Sequence, residues 1–171
     1  MTIRDVERYQ EILKETPFFS TYEEEELSRL IGVCERKVLA PREPLWALGS
    51  PGDSAYVLIG GRLEQTHRFQ PDGTRVDQIG RPGEIVGLSY VVKEWRHQSA
   101  ASAVERTELL RLKRESFQKL FEGGDMAAYR LVDRLAEEVV REMRDANRRL
   151  HEVFGNPAET LRNLRRRVRQ A

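Results

Sequence analysis

The chain has 171 residues, 39% hydrophobic and 33% charged, with a formal net charge of +1. That length holds one well-packed domain with an attached helical element rather than two full domains, and the near-neutral balance excludes a general electrostatic pull toward nucleic acid or membrane. A single cysteine, Cys34, excludes an intrachain disulfide framework and a four-cysteine metal site.

Residues 3–15 set Ile3, Val6, Ile12 and Leu13 among charges, which predicts an amphipathic helix ending before Thr16-Pro17. The opening "MTIRDVERYQEILKETPFF" lacks the apolar core of a signal peptide, and no apolar run approaches membrane-spanning length, so the expected location is the cytoplasm. "STYEEEELSRLI" predicts a second helix, capped by Ser20 or Thr21, with glutamates crowding the first turn where the helix dipole favours negative charge.

From Lys37 to Leu112 the texture changes to short β-rich runs: "RKVLA", "PLWAL", "AYVLI", "RLEQTHRF", "RVDQIG", "ASAV" and "ELLRLK". Turn formers separate them at Pro41 to Pro44, Gly49 to Asp53, Gly60-Gly61, Pro71-Asp72-Gly73 and Arg81-Pro82-Gly83. "HRFQPDGTRVDQI" reads as a hairpin with its tip at Pro71-Asp72-Gly73. Many short strands without long helices between them argue an antiparallel barrel or sandwich. "ESFQKLFEGG" then predicts a short helix ended by Gly123-Gly124, followed by a long helix over 125–154. On it Val132, Leu135, Val139, Met143, Ala146, Leu150 and Val153 step by three or four residues, close to a heptad with one shift of phase. Such a stripe suits a second copy of the helix; the alternative is packing on the chain's own barrel. Gly155-Asn156-Pro157 breaks the helix, and "AETLRNLRRRVRQA" follows.

In "LWALGSPGDSAYVLIGGRLEQ" the turn glycines Gly49, Gly52 and Gly60 permit backbone angles that a side chain forbids, and Asp53 is placed to bond backbone amides. This segment resembles the β-roll of the cyclic nucleotide-binding domain, as in the catabolite activator protein and its relatives. "PFFSTYEEEELSRL" is similar to that family's entry helix, "RPGEIVG" to the lead into its phosphate-binding cassette, and "TELLRLKRESFQKLF" to its closing strand and helix. The resemblance implies an α+β, mainly β architecture: a jelly-roll-like antiparallel β-roll with flanking helices. Its expected divisions are an N-terminal helix at 1–16, the roll at 17–122, a dimerisation helix at 123–154 and an arginine-rich tail at 155–171.

The resemblance also implies a candidate pocket at Gly87, Leu88, Ser89, Arg96, Gln98 and Ser99. In the family a glutamate accepts the ribose 2′-hydroxyl and an arginine pairs with the cyclic phosphate. Alignment on Gly87 puts Leu88 at the glutamate position, and alignment on Ser99-Ala100 puts Gln98 at the arginine position. Glu84 falls where it serves the turn. Losing two charge-assisted contacts forfeits roughly 3–6 kcal/mol, which moves a micromolar site toward millimolar. Arg96 offers a replacement charge, against the alternative of a solvated loop arginine; Trp95 is placed to stack on a ligand base or to pack on the barrel.

His67, His97 and His151 are scattered without metal-ligand spacing and read as surface residues; a haem on His67 or His97, as some relatives of this family carry, is the alternative. No nucleophile–base pair, P-loop or carboxylate dyad stands out, so no catalysis, metal or obligatory cofactor is expected. A cyclic nucleotide is possible, but its usual contacts are missing. Transcription regulators of the family continue into a winged helix-turn-helix; here residues 155–171 follow the long helix instead, so sequence-specific DNA binding is not expected. In those residues Arg162, Arg165, Arg166, Arg167 and Arg169 surround Leu161, Leu164 and Val168 at helical spacing. They form either a basic amphipathic helix for an acidic partner, nucleic acid or an anionic surface, or a solvated terminus. The sequence therefore points to a non-enzymatic homodimeric regulatory or adaptor module that works through a protein partner. Its alternative is a sensor of a cyclic mono- or dinucleotide through a rearranged pocket.

Overall fold

A computed structural model of the chain describes residues 2–69, 73–93 and 95–155. It divides into two units, with the boundary after Leu131.

The first unit opens with α1 (Ile3–Lys14), whose N-terminus is closed by a reciprocal box between Thr2 and Asp5. The next helix, α2 (Glu24–Gly32), starts later than Ser20 or Thr21 would place it. Those hydroxyls instead donate to the Pro17 and Phe18 carbonyls in a single 3₁₀ turn, and Glu26 accepts from the Glu23 amide at 3.0 Å to close the helix start. Three glutamates in the first turn of α2 meet the positive end of its dipole, as the sequence predicts.

Among the described residues ten strands follow: β1 (Glu35–Leu39), β2 (Pro44–Trp46), β3 (Pro51–Gly52), β4 (Ser54–Gly60), β5 (Leu63–Phe69), β6 (Gly73–Ile79), β7 (Ile85–Val86), β8 (Trp95–Arg96), β9 (Ser99–Ala103) and β10 (Thr107–Lys113). They form two four-stranded sheets, β1-β10-β4-β7 and β2-β9-β5-β6, and a two-stranded ribbon, β3-β8. Every pairing is antiparallel. The predicted hairpin is the β5–β6 pair, in register from Leu63↔Ile79 to Phe69↔Gly73; its tip at 70–72 lies outside the described residues.

The roll closes on Leu39, Tyr56, Leu58, Val86 and Leu109 from one sheet and Trp46, Leu63, Ala101 and Ala103 from the other. The run "AYVLI" is apolar throughout because β4 is covered on both faces. Tyr56 and Leu58 point into the roll, while Ala55, Val57 and Ile59 alternate to the opposite face and are buried as well. Helix α4 (Arg114–Glu122) and the start of α5 (Met126–Phe154) complete this unit, with Ala127, Ala128 and Leu131 fully buried.

The second unit is the remainder of α5, which runs unbroken to Phe154. Gly155 follows at φ +60°, the left-handed conformation that ends a helix. Among the predicted stripe residues here, Val132 and Leu135 are half-buried, whereas Val139, Met143, Ala146 and Leu150 are exposed.

Candidate functional site

The cassette between β7 and β9 is held by backbone geometry first. Gly87 sits at φ +74°, and a Cβ there would stand 3.0 Å from the Ser54 carbonyl oxygen and 3.1 Å from the Tyr90 ring. It needs glycine for both conformation and space. Gly52 needs it for space alone: a Cβ would come within 2.5 Å of the Tyr90 ring. Of the other turn glycines predicted, Gly49 is left-handed at φ +79°, but at the second turn the left-handed residue is Gly61 at +89° while Gly60 simply ends β4. Gly87→Ala is therefore expected to cost about 1–3 kcal/mol, since left-handed backbone is unfavourable for alanine and the Ser54 carbonyl cannot move aside. Chemical denaturation would register that loss, and a change below a few tenths would show that the turn relaxes.

Glu84 works as a turn brace: one carboxylate oxygen accepts from the Gly80 amide at 2.9 Å and from the Arg81 amide at 2.8 Å. Asp53 is used differently from its predicted role. Among the described residues its carboxylate accepts from the Ser54 hydroxyl at 2.7 Å and from the Arg111 guanidinium at 3.1 Å, not from backbone amides. These side chains hold the acid below its ordinary range despite partial burial, the Ser54 hydrogen bond contributing most. Arg114 completes the frame by donating to the Gly52 carbonyl at 2.6 Å and the Tyr90 carbonyl at 3.0 Å, which ties the cassette helix α3 (Ser89–Val92) to the β3 turn.

The six candidate pocket residues do not converge on one point. Leu88 is 4% exposed, so the position that would present a carboxylate to a ribose is packed into the core. Ser99 is 2% exposed and its hydroxyl accepts from the Gln65 amide at 2.7 Å. Ser89, Arg96 and Gln98 are exposed and, with Tyr90 and Trp95, line a cavity of about 240 Å³. Arg96 donates to the Gly49 carbonyl at 2.9 Å, and its backbone is fixed by the Pro51↔Arg96 and Gly52↔Trp95 pairing of β3 with β8. Trp95 stays half exposed with the Lys93 ammonium 4.9 Å from its ring centre, so it is neither buried in the barrel nor idle.

His97 is a correction to the sequence reading. It is 5% exposed, stacked on Trp46 at 4.4 Å and met edge-on by Tyr90 at 4.2 Å. Burial lowers its pKa below the ordinary 6.5, which keeps the ring neutral at pH 7. Its Nδ1 and the Trp46 Nε1 are buried without a hydrogen-bond partner among the described residues. The signal for this aromatic floor, Trp46 and His97 around a strand pair, was visible only as isolated residues. Among the described residues no three His, Cys, Asp or Glu side chains stand together as a group that could hold a metal ion. Cys34 is buried, with its pKa pushed up to about 12 by desolvation, and is an inert thiol rather than a reactive one. The predicted tail contacts, Arg162, Arg165, Arg166, Arg167 and Arg169, lie outside the described residues.

Two antiparallel sheets closed into a roll, a glycine-turned cassette between β7 and β9, and a long helix after the closing helix are the architecture of a β-roll regulatory domain. The chain belongs to the cyclic nucleotide-binding domain family, whose sequence model matches residues 36–123. It is 30% identical over 137 residues to the cyclic AMP receptor protein of Thermus thermophilus, a match covering 79% of this chain and 61% of that protein. The crystal structure of the Thermus thermophilus catabolite activator protein superposes with a TM-score of 0.69 at 26% identity, over 81% of this chain and 63% of that one. The chain thus spans about three fifths of the length of these relatives. The regulatory subunit of a cAMP-independent protein kinase A from Trypanosoma brucei shares the fold with a TM-score of 0.67 at 20% identity, over 80% of this chain and 47% of that one. No helix among the described residues is long and apolar enough to cross a membrane.

Proposed function

We propose that this chain is a non-catalytic regulatory module, homodimeric through α5, that retains the cyclic nucleotide-binding fold without its nucleotide chemistry and acts on a protein partner in the cytoplasm. The observation that carries this reading is the state of positions 88 and 98. A buried leucine and a neutral amide stand where a ribose acceptor and a phosphate-pairing guanidinium are needed, and Ser99 is already engaged by Gln65. A cyclic phosphate placed there would be desolvated without a paired charge, which costs more than the remaining neutral donors return. The apolar stripe of Val139, Met143 and Leu150, exposed on a single chain, supports pairing with a second copy. The arginines between 162 and 169 offer a contact surface for an acidic partner.

Thermal denaturation tests the pocket. Cyclic AMP, cyclic GMP and cyclic dinucleotides at millimolar concentration are expected to leave the melting temperature unchanged. A ligand at 100 times its dissociation constant adds about 2.7 kcal/mol, so a clear upward shift with any of them overturns the reading.

A second reading is favoured by one observation: Arg96 and Gln98 do line a common cavity. The module on this reading senses a small ligand through a rearranged site.

A further inference from the structure

We propose that the cavity lined by Ser89, Tyr90, Trp95, Arg96 and Gln98 binds an aryl monocarboxylate, a small organic anion built on one flat ring, rather than a cyclic nucleotide. The inference deepens the second reading above by naming the ligand class, and it leaves the α5 dimer untouched.

The lining divides by chemistry. Tyr90 and Trp95 supply two aromatic side chains. Tyr90 is held in place against His97, while the indole of Trp95 is half exposed and so available for stacking. Arg96 supplies the one positive charge among the lining residues. One of its guanidinium nitrogens is spent on the Gly49 carbonyl, and among the described residues no carboxylate pairs with it. A guanidinium carries five N–H donors, so an anchored Arg96 retains enough to grip a carboxylate through charge-assisted bonds. The Gln98 amide and Ser89 hydroxyl add neutral donors that orient the bound group. Among the described residues that line the cavity none is an acid, so none of them takes the diol of a ribose in the way a glutamate does.

Size argues the same way. The cavity measures about 240 Å³. That is below the roughly 300 Å³ at which pockets begin to enclose drug-sized ligands, and it suits one ring with its acid rather than a base, sugar and phosphate together. Lys93, 4.9 Å from the Trp95 ring centre, brings a second cation beside the site and favours an anion over a neutral aromatic.

The two tryptophans separate the readout, because Trp46 is 7% exposed and Trp95 50% exposed. Titration of the full chain with benzoate is expected to change tryptophan emission saturably and to raise the melting temperature. Cyclohexanecarboxylate, which keeps the charge and loses the flat ring, and benzamide, which keeps the ring and loses the charge, are each expected to bind about tenfold more weakly or worse. Arg96→Gln should weaken benzoate by about tenfold or more, and Trp95→Phe should remove the emission change while the thermal shift persists. Both side chains are exposed, and each variant's own melting temperature confirms that it folds.

The proposal is overturned if benzoate gives no response up to about 10 mM, if cyclohexanecarboxylate binds equally well, if Arg96→Gln binds as the parent does, or if cyclic AMP displaces benzoate at lower concentration. A silent benzoate titration on a chain that is still a dimer removes this inference alone. A benzoate-binding chain that proves monomeric upholds the site and removes the dimeric module.

Discussion

If the chain pairs through α5 as proposed, replacing Val139 and Met143 together by lysine is expected to convert it from dimer to monomer at micromolar concentration. Val139 is 47% and Met143 61% exposed on the single chain, so neither belongs to the buried core of its own protomer. In a two-fold interface each substitution acts twice. Fully burying a valine or methionine contributes about 1.5–3 kcal/mol, and about half of each side chain remains to be buried, so four of them account for about 3–6 kcal/mol, or about two to four powers of ten in the dissociation constant. Lysines placed there also meet one another as unpaired like charges. Light scattering coupled to size exclusion should therefore report half the mass, with helical circular dichroism and the melting transition of the roll retained. A variant that remains dimeric places the self-contact elsewhere and leaves this face for another partner. The spacing of the stripe supports the same expectation: Val139, Met143, Ala146 and Leu150 alternate by four and three, the seam of a two-stranded coil.

Much of the roll could be read in the sequence because its physics is local. Strands β4 and β10 appear as largely apolar runs, the β5–β6 pair is signalled by the turn formers between its arms, and the glycines between strands mark backbone conformations few other residues accept. The three two-residue strands β3, β7 and β8 could not be read this way. Each exists because a partner strand lies alongside it, and two residues carry no period. The cap of α2 failed for a related reason. Ser20 and Thr21 are good cap residues, but their hydroxyls are taken by carbonyls one turn back, and the helix start falls to the glutamates.

At the site, the resemblance to the family placed the cassette and set neutral residues at 88 and 98. It could not say which candidates share a surface. Arg96 and Gln98 are two apart on an extended segment and so lie on one side, with His97 between them facing the interior. Ser99, next in line, turns inward to Gln65 across the β5–β9 pair. Tyr90 was unremarkable as a letter in "GLSYVV". Its importance comes from three-dimensional proximity: Gly52 must be a glycine because Tyr90 lies over it, and Arg114 grips its carbonyl.

Glu108→Gln is expected to destabilise the protein at neutral pH and to be nearly silent in strong acid. Glu108 lies on β10 with its side chain 9% exposed, and it gathers three donor residues from two other elements, Arg8 and Tyr9 of α1 and Arg36 of β1. The Tyr9 hydroxyl donates to it at 2.8 Å and Arg36 at 2.7 Å, while Arg8 spans both oxygens at 3.3 and 2.9 Å. The node therefore fastens α1 to the roll through β1 and β10. The Arg8 hydrogen bonds, then those of Arg36 and Tyr9, outweigh burial and bring the carboxyl down from 4.5 to about 2. A folded-state pKa below the unfolded one contributes stability that is fully present above about pH 5 and is lost as pH falls through 4.5 toward 2. Such a shift corresponds to about 3 kcal/mol, and because Arg8 and Arg36 are half exposed and stay solvated without their partner, the net loss in Glu108→Gln should be nearer 2. For a chain of this size that lowers the melting temperature by about 4–8 °C at pH 7. His97, neutral through burial, adds its own loss of stability as pH drops below the ordinary histidine range, but parent and variant share it and it cancels in their difference. The difference in melting temperature should thus stay constant from pH 8 to about 5 and shrink toward zero near pH 2. A difference that is independent of pH would assign Glu108 a packing role and strip the arginines of theirs.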